Sequence, residues 1–262
     1  MRSSPQNIWR MKQFYETYNG KEKLSTLLRE ISWSHNTQIM SCKTDDEREF
    51  YLTLSVKNQY SFRELKRQMD SCLYERTMMS GIANKLITER NEGLIALRDS
   101  YVLEFLDLPE KHKEKDLRKA IVRNLKDFIL EFGKDFAFVG EEYRVQVGNR
   151  DFFIDLLFYN RELQCLVAIE LKIGEFEPEY LGKMEFYLEA LDRDVKKSDE
   201  NPSVGLILCT KKDMTVVEYA LSRSLSPALI ADYKLRLPDK QILENKLREL
   251  TELAENSLTP EE

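Results

Sequence analysis

Apolar positions along the chain repeat with two different periods, and the change of period divides it. From Asn7 to about Arg90 the spacing is helical. In SFRELKRQMDSCLYER, Leu65, Met69, Cys72 and Leu73 fall on one helical face, and Ser61 with Glu64 forms a capping-box pair ahead of them. Arg63 and Arg67 point the other way, where basic side chains are either solvated or free to meet phosphates. Trp33 and His35, in ISWSHN, read as a packed aromatic pair rather than a ligand site. The pattern breaks between Asn91 and Glu114, where a Gly, a Pro and a charged run suggest a connection with its boundary near Tyr101. The prediction is a helical domain over residues 1–100 and a second domain over residues 101–262.

The second domain opens with a predicted helix from Asp116 to Gly133, striped by Leu117, Ile121, Leu125, Phe128, Ile129 and Phe132. Five short runs rich in Val, Ile, Leu and aromatics then read as strands: EYRVQV, FFIDLLFY, QCLVAIEL, SVGLILCT and ALIADY. A helix from Pro178 to Val195 separates the third from the fourth, and an amphipathic helix from Asp239 to Asn256 follows the last. The order helix, three strands, helix, strand, helix or loop, strand, helix predicts an α/β core with a mixed five-stranded sheet flanked by helices, following the helical domain.

Composition narrows the possibilities. Hydrophobic residues make up 42% of the 262 residues, with nine Gly and seven Pro, so the chain folds and is rich in long helices. Cys42, Cys72, Cys165 and Cys209 form no CxxC pair and His35 and His112 stand far apart, which leaves no zinc-ligand spacing. Ile31 to Cys42, the longest stretch without charge, has twelve residues, against the ~20 that a membrane helix requires. With reduced thiols and no apolar leader, a cytoplasmic protein is expected. HExxH, GxxxxGK[ST] and GxGxxG are all absent, which removes zincin, P-loop and simple dinucleotide-binding chemistry.

The informative segment is DFFIDLLFYNRELQCLVAIELK, which sets Asp155, Glu170 and Lys172 inside apolar strands. Burying such charges costs several kcal/mol each unless they are paired or bind a metal. Glu170 and Lys172 are two apart and share a strand face. A hairpin turning at Glu162 and Leu163 would set Asp155 opposite Glu170, within ~5.5 Å, and a one-residue slip would send it to the other face. Two carboxylates so close need a cation between them, and open oxygen sites suit Mg2+ or Mn2+. Lys172 beside them suits phosphodiester hydrolysis, and a buried salt bridge is the competing reading.

An Asp followed fifteen residues later by Glu-x-Lys, between helices, resembles the core of the PD-(D/E)XK nucleases, with Ile154 where that family has Pro. FAFVGEEYRVQV, DFFIDLLFYN, IELKIGEFEPEYLGKMEFYLEALD and NPSVGLILC resemble the nuclease domain of the YhcG-like proteins. NIWRMKQFYETY, ISWSHN, EREFYL and SFRELKRQMDSCLYER resemble that family's N-terminal helical domain, whose first helices look missing from this chain. The resemblance implies Asp155 and Glu170 as metal ligands with the Leu171 carbonyl, Lys172 as the catalytic lysine, and Glu131 as the acidic residue of the helix before the sheet. Lys183, bordered by Tyr180 and Tyr187, would face the active site. Glu141-Glu142 stand where the family commonly shows Arg-Gln, which would weaken substrate binding unless one carboxylate joins the metal site.

The expected function is a Mg2+-dependent endonuclease, resolvase- or restriction-like, acting on DNA as a homodimer. The alternative is an inactive nucleic-acid-binding or assembly module of the same fold. Arg144, Arg150, Lys211 and Lys212, with Arg63 and Arg67, are the candidate phosphate contacts. The net charge of −6 is uneven: residues 1–100 hold 16 Lys and Arg against 13 Asp and Glu, and residues 101–262 hold 24 against 33. DNA binding should therefore be salt-sensitive and lean on the helical half and on the metal.

Overall fold

A computed structural model describes residues 4–21, 24–87, 97–133, 135–222, 224 and 227–257. The chain divides into two units, Met1–Met78 with Asp239–Glu249, and Met79–Pro238 with Leu250–Glu262.

Among the described residues, six helices come first: α1 (Pro5–Tyr18), α2 (Ser25–Glu30), α3 (Trp33–Ile39), α4 (Asp45–Asn58), α5 (Phe62–Asp70) and α6 (Leu73–Ile87). The capping box forms as the sequence predicts: the Ser61 N–H donates to Glu64 Oε2 and the Glu64 N–H to Ser61 Oγ. Leu65, Met69, Cys72 and Leu73 are all buried. Their stripe spans two helices rather than one, because Cys72 turns into the left-handed region at φ 54° between α5 and α6. His35 is a core residue whose Nε2 bonds the Tyr60 carbonyl oxygen and whose Nδ1 bonds Ser32 Oγ.

The second unit carries α7 (Glu114–Arg123), α8 (Leu125–Phe132), α9 (Glu179–Asp194), α10 (Met214–Leu221) and six strands. The strands are β1 (Ser100–Val102), β2 (Phe136–Val147), β3 (Arg150–Asn160), β4 (Cys165–Leu171), β5 (Val204–Cys209) and β6 (Ala228–Lys234), and α11 (Lys240–Ser257) follows them. The sheet order is β1-β6-β5-β4-β3-β2, with β2, β3 and β4 antiparallel and the remaining pairs parallel. Alternate residues sort to two apolar layers, as strand geometry requires. Val167, Ile169, Leu206 and Leu208 pack with Leu117, Ile121 and Phe128 of α7 and α8, while Ala168, Ile207 and Ile230 pack with Leu181, Met184 and Leu188 of α9.

Four predicted features differ. The sheet has six strands rather than five, because Ser100–Val102 joins the edge of β6 inside the supposed connection, of which residues 88–96 lie outside the described residues. Tyr101, near the expected boundary, lies wholly buried in the second unit, stacked on Phe132 with ring centroids 4.0 Å apart, and the N-terminal part of the first unit ends earlier, at Met78. The helix expected from Asp116 to Gly133 is two, broken at Asn124, whose ψ of 33° leaves the helix while its amide caps the Ala120 carbonyl. The start of α11 also departs from the predicted division: it clusters with the N-terminal helices, where Lys240 pairs with the buried Glu47 and Glu75, and Lys43 with Glu244.

Candidate active site

The register of the β3–β4 hairpin decides what the acidic residues can do. Leu156 pairs with Ile169 and Asn160 with Cys165, which centres the turn between Glu162 and Leu163, as the sequence predicts. The β3–β4 ladder ends at Leu156, one residue before Asp155 would face Glu170. On the other flank the β2–β3 pairing steps from Glu141–Leu156 to Tyr143–Ile154, and Glu142 between them adopts φ 44°. Asp155 thus stands where both neighbouring ladders lapse. There the strands fork, and its carboxylate replaces the missing rung: Oδ2 accepts the Leu171 N–H at 2.9 Å. Bulges and lapses of this kind commonly re-aim side chains beside functional sites.

Glu170 points from β4 toward α9, since its neighbours Ile169 and Leu171 belong to the layer under α7 and α8. It is 1% exposed, and its Oε1 accepts from two ammonium groups, Lys172 Nζ at 2.9 Å and Lys183 Nζ at 2.5 Å. Its Oε2 is buried with no hydrogen-bond partner. Lys172 lies over the Tyr180 ring and 3.6 Å from Glu114 Oε2, and Lys183 lies over the Tyr187 ring. Burial alone would lower the Lys183 pKa, but the hydrogen bond and charge of Glu170 outweigh it and hold the ammonium above the usual lysine value. Burial likewise raises the Tyr187 phenol, whose hydroxyl donates to the Phe153 carbonyl at 2.6 Å.

The structure therefore brings Asp155, Glu170, Leu171, Lys172 and Lys183 together at the C-terminal end of β4, where open α/β sheets usually bind ligands. It does not bring Glu131 there. Glu131 is wholly buried on α8, where its Oε1 accepts the Val102 N–H at 2.9 Å and stands 3.9 Å from Arg98. The apolar stripe hid this, because the break at Asn124 puts Glu131 on a separate helix from the one that reaches the site. That helix is α7, and it contributes two residues that sequence reasoning passed over. Glu114 faces Lys172, and Arg118, one turn on, donates Nη1 to Asp155 Oδ1 at 2.9 Å and Nη2 to Glu142 Oε1 at 2.6 Å. Their i, i+4 spacing beside Leu117 was a signal, although a charged pair one turn apart is common on solvated helices.

The basic candidates scatter. Lys212 is a correction: its ammonium turns inward to the Asp99 and Ile230 carbonyl oxygens, holding the β6 edge, and is not presented to a phosphate. Arg144 is exposed and paired with Asp151 at 2.8 Å, Arg150 lies over Phe152 near the turn at Gly148, and Lys211 is exposed just beyond β5. In the other unit, Arg63 is exposed and Arg67 half-buried.

The donors at the fork are hard oxygens, from the two carboxylates and the Leu171 carbonyl. Among the described residues no group of three or more His, Cys, Asp or Glu side chains is placed to hold a metal ion. The hard oxygens fit a divalent cation of the oxygen-seeking kind, and the unpartnered Glu170 Oε2 is a buried acceptor that such an ion would satisfy.

An Asp at a strand fork, with Glu and Lys two apart on the neighbouring strand of a mixed sheet, defines the PD-(D/E)XK class of nuclease. Residues 94–248 match the family described as the YhcG PDDEXK nuclease domain, and residues 3–76 match the DUF1016 N-terminal domain. The chain belongs to this YhcG nuclease family. It is 36% identical over 216 residues to the Escherichia coli (strain K12) protein named "Putative nuclease YhcG", a match covering 80% of this chain and 58% of that relative's length. Among solved structures, a repair endonuclease from Pyrococcus abyssi aligns at 16% identity over 50% of each chain with a TM-score of 0.32. The apo form of EndoMS aligns at 15% identity over 50% of this chain and 49% of its own, also with a TM-score of 0.32. Among the described residues no helix is long and apolar enough to cross a membrane.

Proposed function

We propose that the chain is a divalent-metal-dependent endonuclease that hydrolyses phosphodiester bonds in DNA. Glu170 carries the reading: a carboxylate 1% exposed, with one oxygen held by two ammonium groups and the other without a partner, is a poor structural ion pair and a good ligand awaiting a cation. Asp155, Glu170 and the Leu171 carbonyl would hold Mg2+ or Mn2+, whose role when bound is to neutralise charge on the phosphate and polarise its oxygens. Lys172, at the mouth of the fork, donates to a phosphate oxygen as negative charge develops there. Lys183 stays protonated at neutral pH and orients the Glu170 carboxylate. Tyr187, tied to the Phe153 carbonyl, holds α9 against β3 and so fixes where Lys183 stands.

Exposed Arg144, Arg150 and Lys211 of the sheet unit, with Arg63 and Arg67 of the helical unit, are the groups we assign to the DNA backbone. A two-fold dimer would allow both strands to be cut. The test is cleavage of supercoiled plasmid and of branched DNA with Mg2+ by the wild type and by Lys172→Ala. Cleavage by the wild type alone is expected. Equal activity in both would remove Lys172 from the chemistry, and metal binding without any cleavage would make the chain a binding module. Preference for the branched substrate would place the activity among resolvases.

A further inference from the structure

The two carboxylates at the fork are not equally ready for a metal. Glu170 keeps Oε2 unpartnered, whereas both oxygens of Asp155 are engaged, Oδ2 by the Leu171 N–H and Oδ1 by Arg118. Arg118 is held from a second direction by Glu142, on the exposed side of the site, at 2.6 Å. Its guanidinium is mostly buried, and its Nε has no partner, so the group is defined by these two carboxylates and little else. Glu142 itself sits at φ 44°, the one residue of β2 in the left-handed region, which turns it out of the ladder at the rung of Asp155.

A guanidinium and a divalent cation compete for one carboxylate oxygen, because each is positive and each seeks the same lone pairs. We propose that Arg118 and the divalent cation are alternative occupants of Asp155 Oδ1, and that Glu142 retains Arg118 when the cation enters. The idea rests on the metal-dependent reading above and adds to it a threshold set by this chain's own residues. Without the cation, Arg118 compensates the charge of Asp155. When the cation binds, Arg118 gives up one of its two partners, and the ion pair with Glu142 spares it from becoming an unpaired buried charge. The glutamate at position 142 thus acquires a role: it weakens Arg118's hold on Asp155 by sharing it.

The two residues then have opposite effects on metal affinity. Arg118→Gln removes the competitor and should tighten Mn2+ binding about tenfold, the size of effect that groups around a ligand commonly exert. Glu142→Gln leaves Arg118 wholly to Asp155 and should weaken binding severalfold. In the double variant the Glu142 effect should vanish, since there is no Arg118 left to share. The measurement is titration calorimetry of the full chain with Mn2+ and no DNA present. Unchanged or weaker binding in Arg118→Gln overturns the exchange. A Glu142 effect of the same size with and without Arg118 also overturns it, by making Glu142 a ligand or a through-space charge. If Arg118→Gln does not fold, Glu142→Gln, changed at an exposed side chain, decides alone: equal or tighter binding than wild type overturns the proposal. Failure of the metal reading has a separate signature, absence of Mn2+ binding by the wild type, or binding that persists in Asp155→Asn.

Discussion

Asp155 has two tasks in this fold, and two substitutions separate them. Its charge serves the metal reading, and its Oδ2 satisfies the N–H of Leu171, a residue with no exposed surface. Asp155→Asn removes the charge and keeps one acceptor oxygen, which can serve the Leu171 N–H, while its NH2 takes the place of the oxygen that accepts from Arg118. Asp155→Ala removes both acceptors, leaving a buried N–H unsatisfied and an arginine, with a side chain 12% exposed, dependent on Glu142 alone. A buried donor left without its acceptor costs about 1–3 kcal/mol. For a unit of this size each kcal/mol shifts the melting temperature by roughly 2–4 °C, so the Ala variant should melt about 2–12 °C below the Asn variant. The Asn variant, which keeps the acceptor for Leu171 but loses the ion pair with Arg118, should melt below wild type and above the Ala variant, and neither should cut plasmid with Mg2+. Differential scanning calorimetry, following the transition of the sheet unit, reads the first part and a gel assay the second. If the two variants melt together, the carboxylate does not close the fork, and if Asp155→Asn cuts like wild type, it is not a ligand.

Two further outcomes test residues outside the fork. Glu131→Ala removes the acceptor of the Val102 N–H and a neighbour of Arg98 from a site with no exposed surface, and should destabilise the sheet unit by about 3 kcal/mol. Its Mn2+ affinity by calorimetry should stay that of wild type, and a lost affinity in a folded variant would return Glu131 to the active site. In the helical unit, burial raises the pKa of Glu75 above the ordinary glutamate value despite Lys240 nearby. A raised carboxyl pKa means that the folded unit prefers the protonated form, so stability is lost as pH rises above the unfolded glutamate value of about 4.3. Glu75→Gln should therefore gain melting temperature at pH 8 and little or none at pH 4, and an equal gain at both would refute the assignment.

Much of the site was legible because strand arithmetic is strict. Turn residues at 161–164 between two apolar runs point to one hairpin register, and that register places Asp155 beside the Glu-x-Lys strand. What the sequence hid came from long-range packing. Ser100–Val102 is three residues long and becomes a strand only because β6 has a free edge for it. The break at Asn124 has no Gly or Pro to announce it, and it is why Glu131 and not Glu114 drew attention. Arg118 reads as an ordinary basic helix residue until the fold sets two carboxylates against it. Lys212 shows the reverse, a loop lysine whose ammonium the β6 edge recruits inward.

The membership of Asp239–Glu249 in the helical unit makes that unit discontinuous, with residues 79–238 intervening. On the ribosome the helices up to Met78 emerge first and must wait while the whole sheet unit is made, on the order of ten seconds or more. During that interval Glu47 and Glu75 are without Lys240, and Lys43 is without Glu244. The order of completion is then reversed with respect to the order of synthesis: the catalytic sheet can close before the helices that precede it are finished.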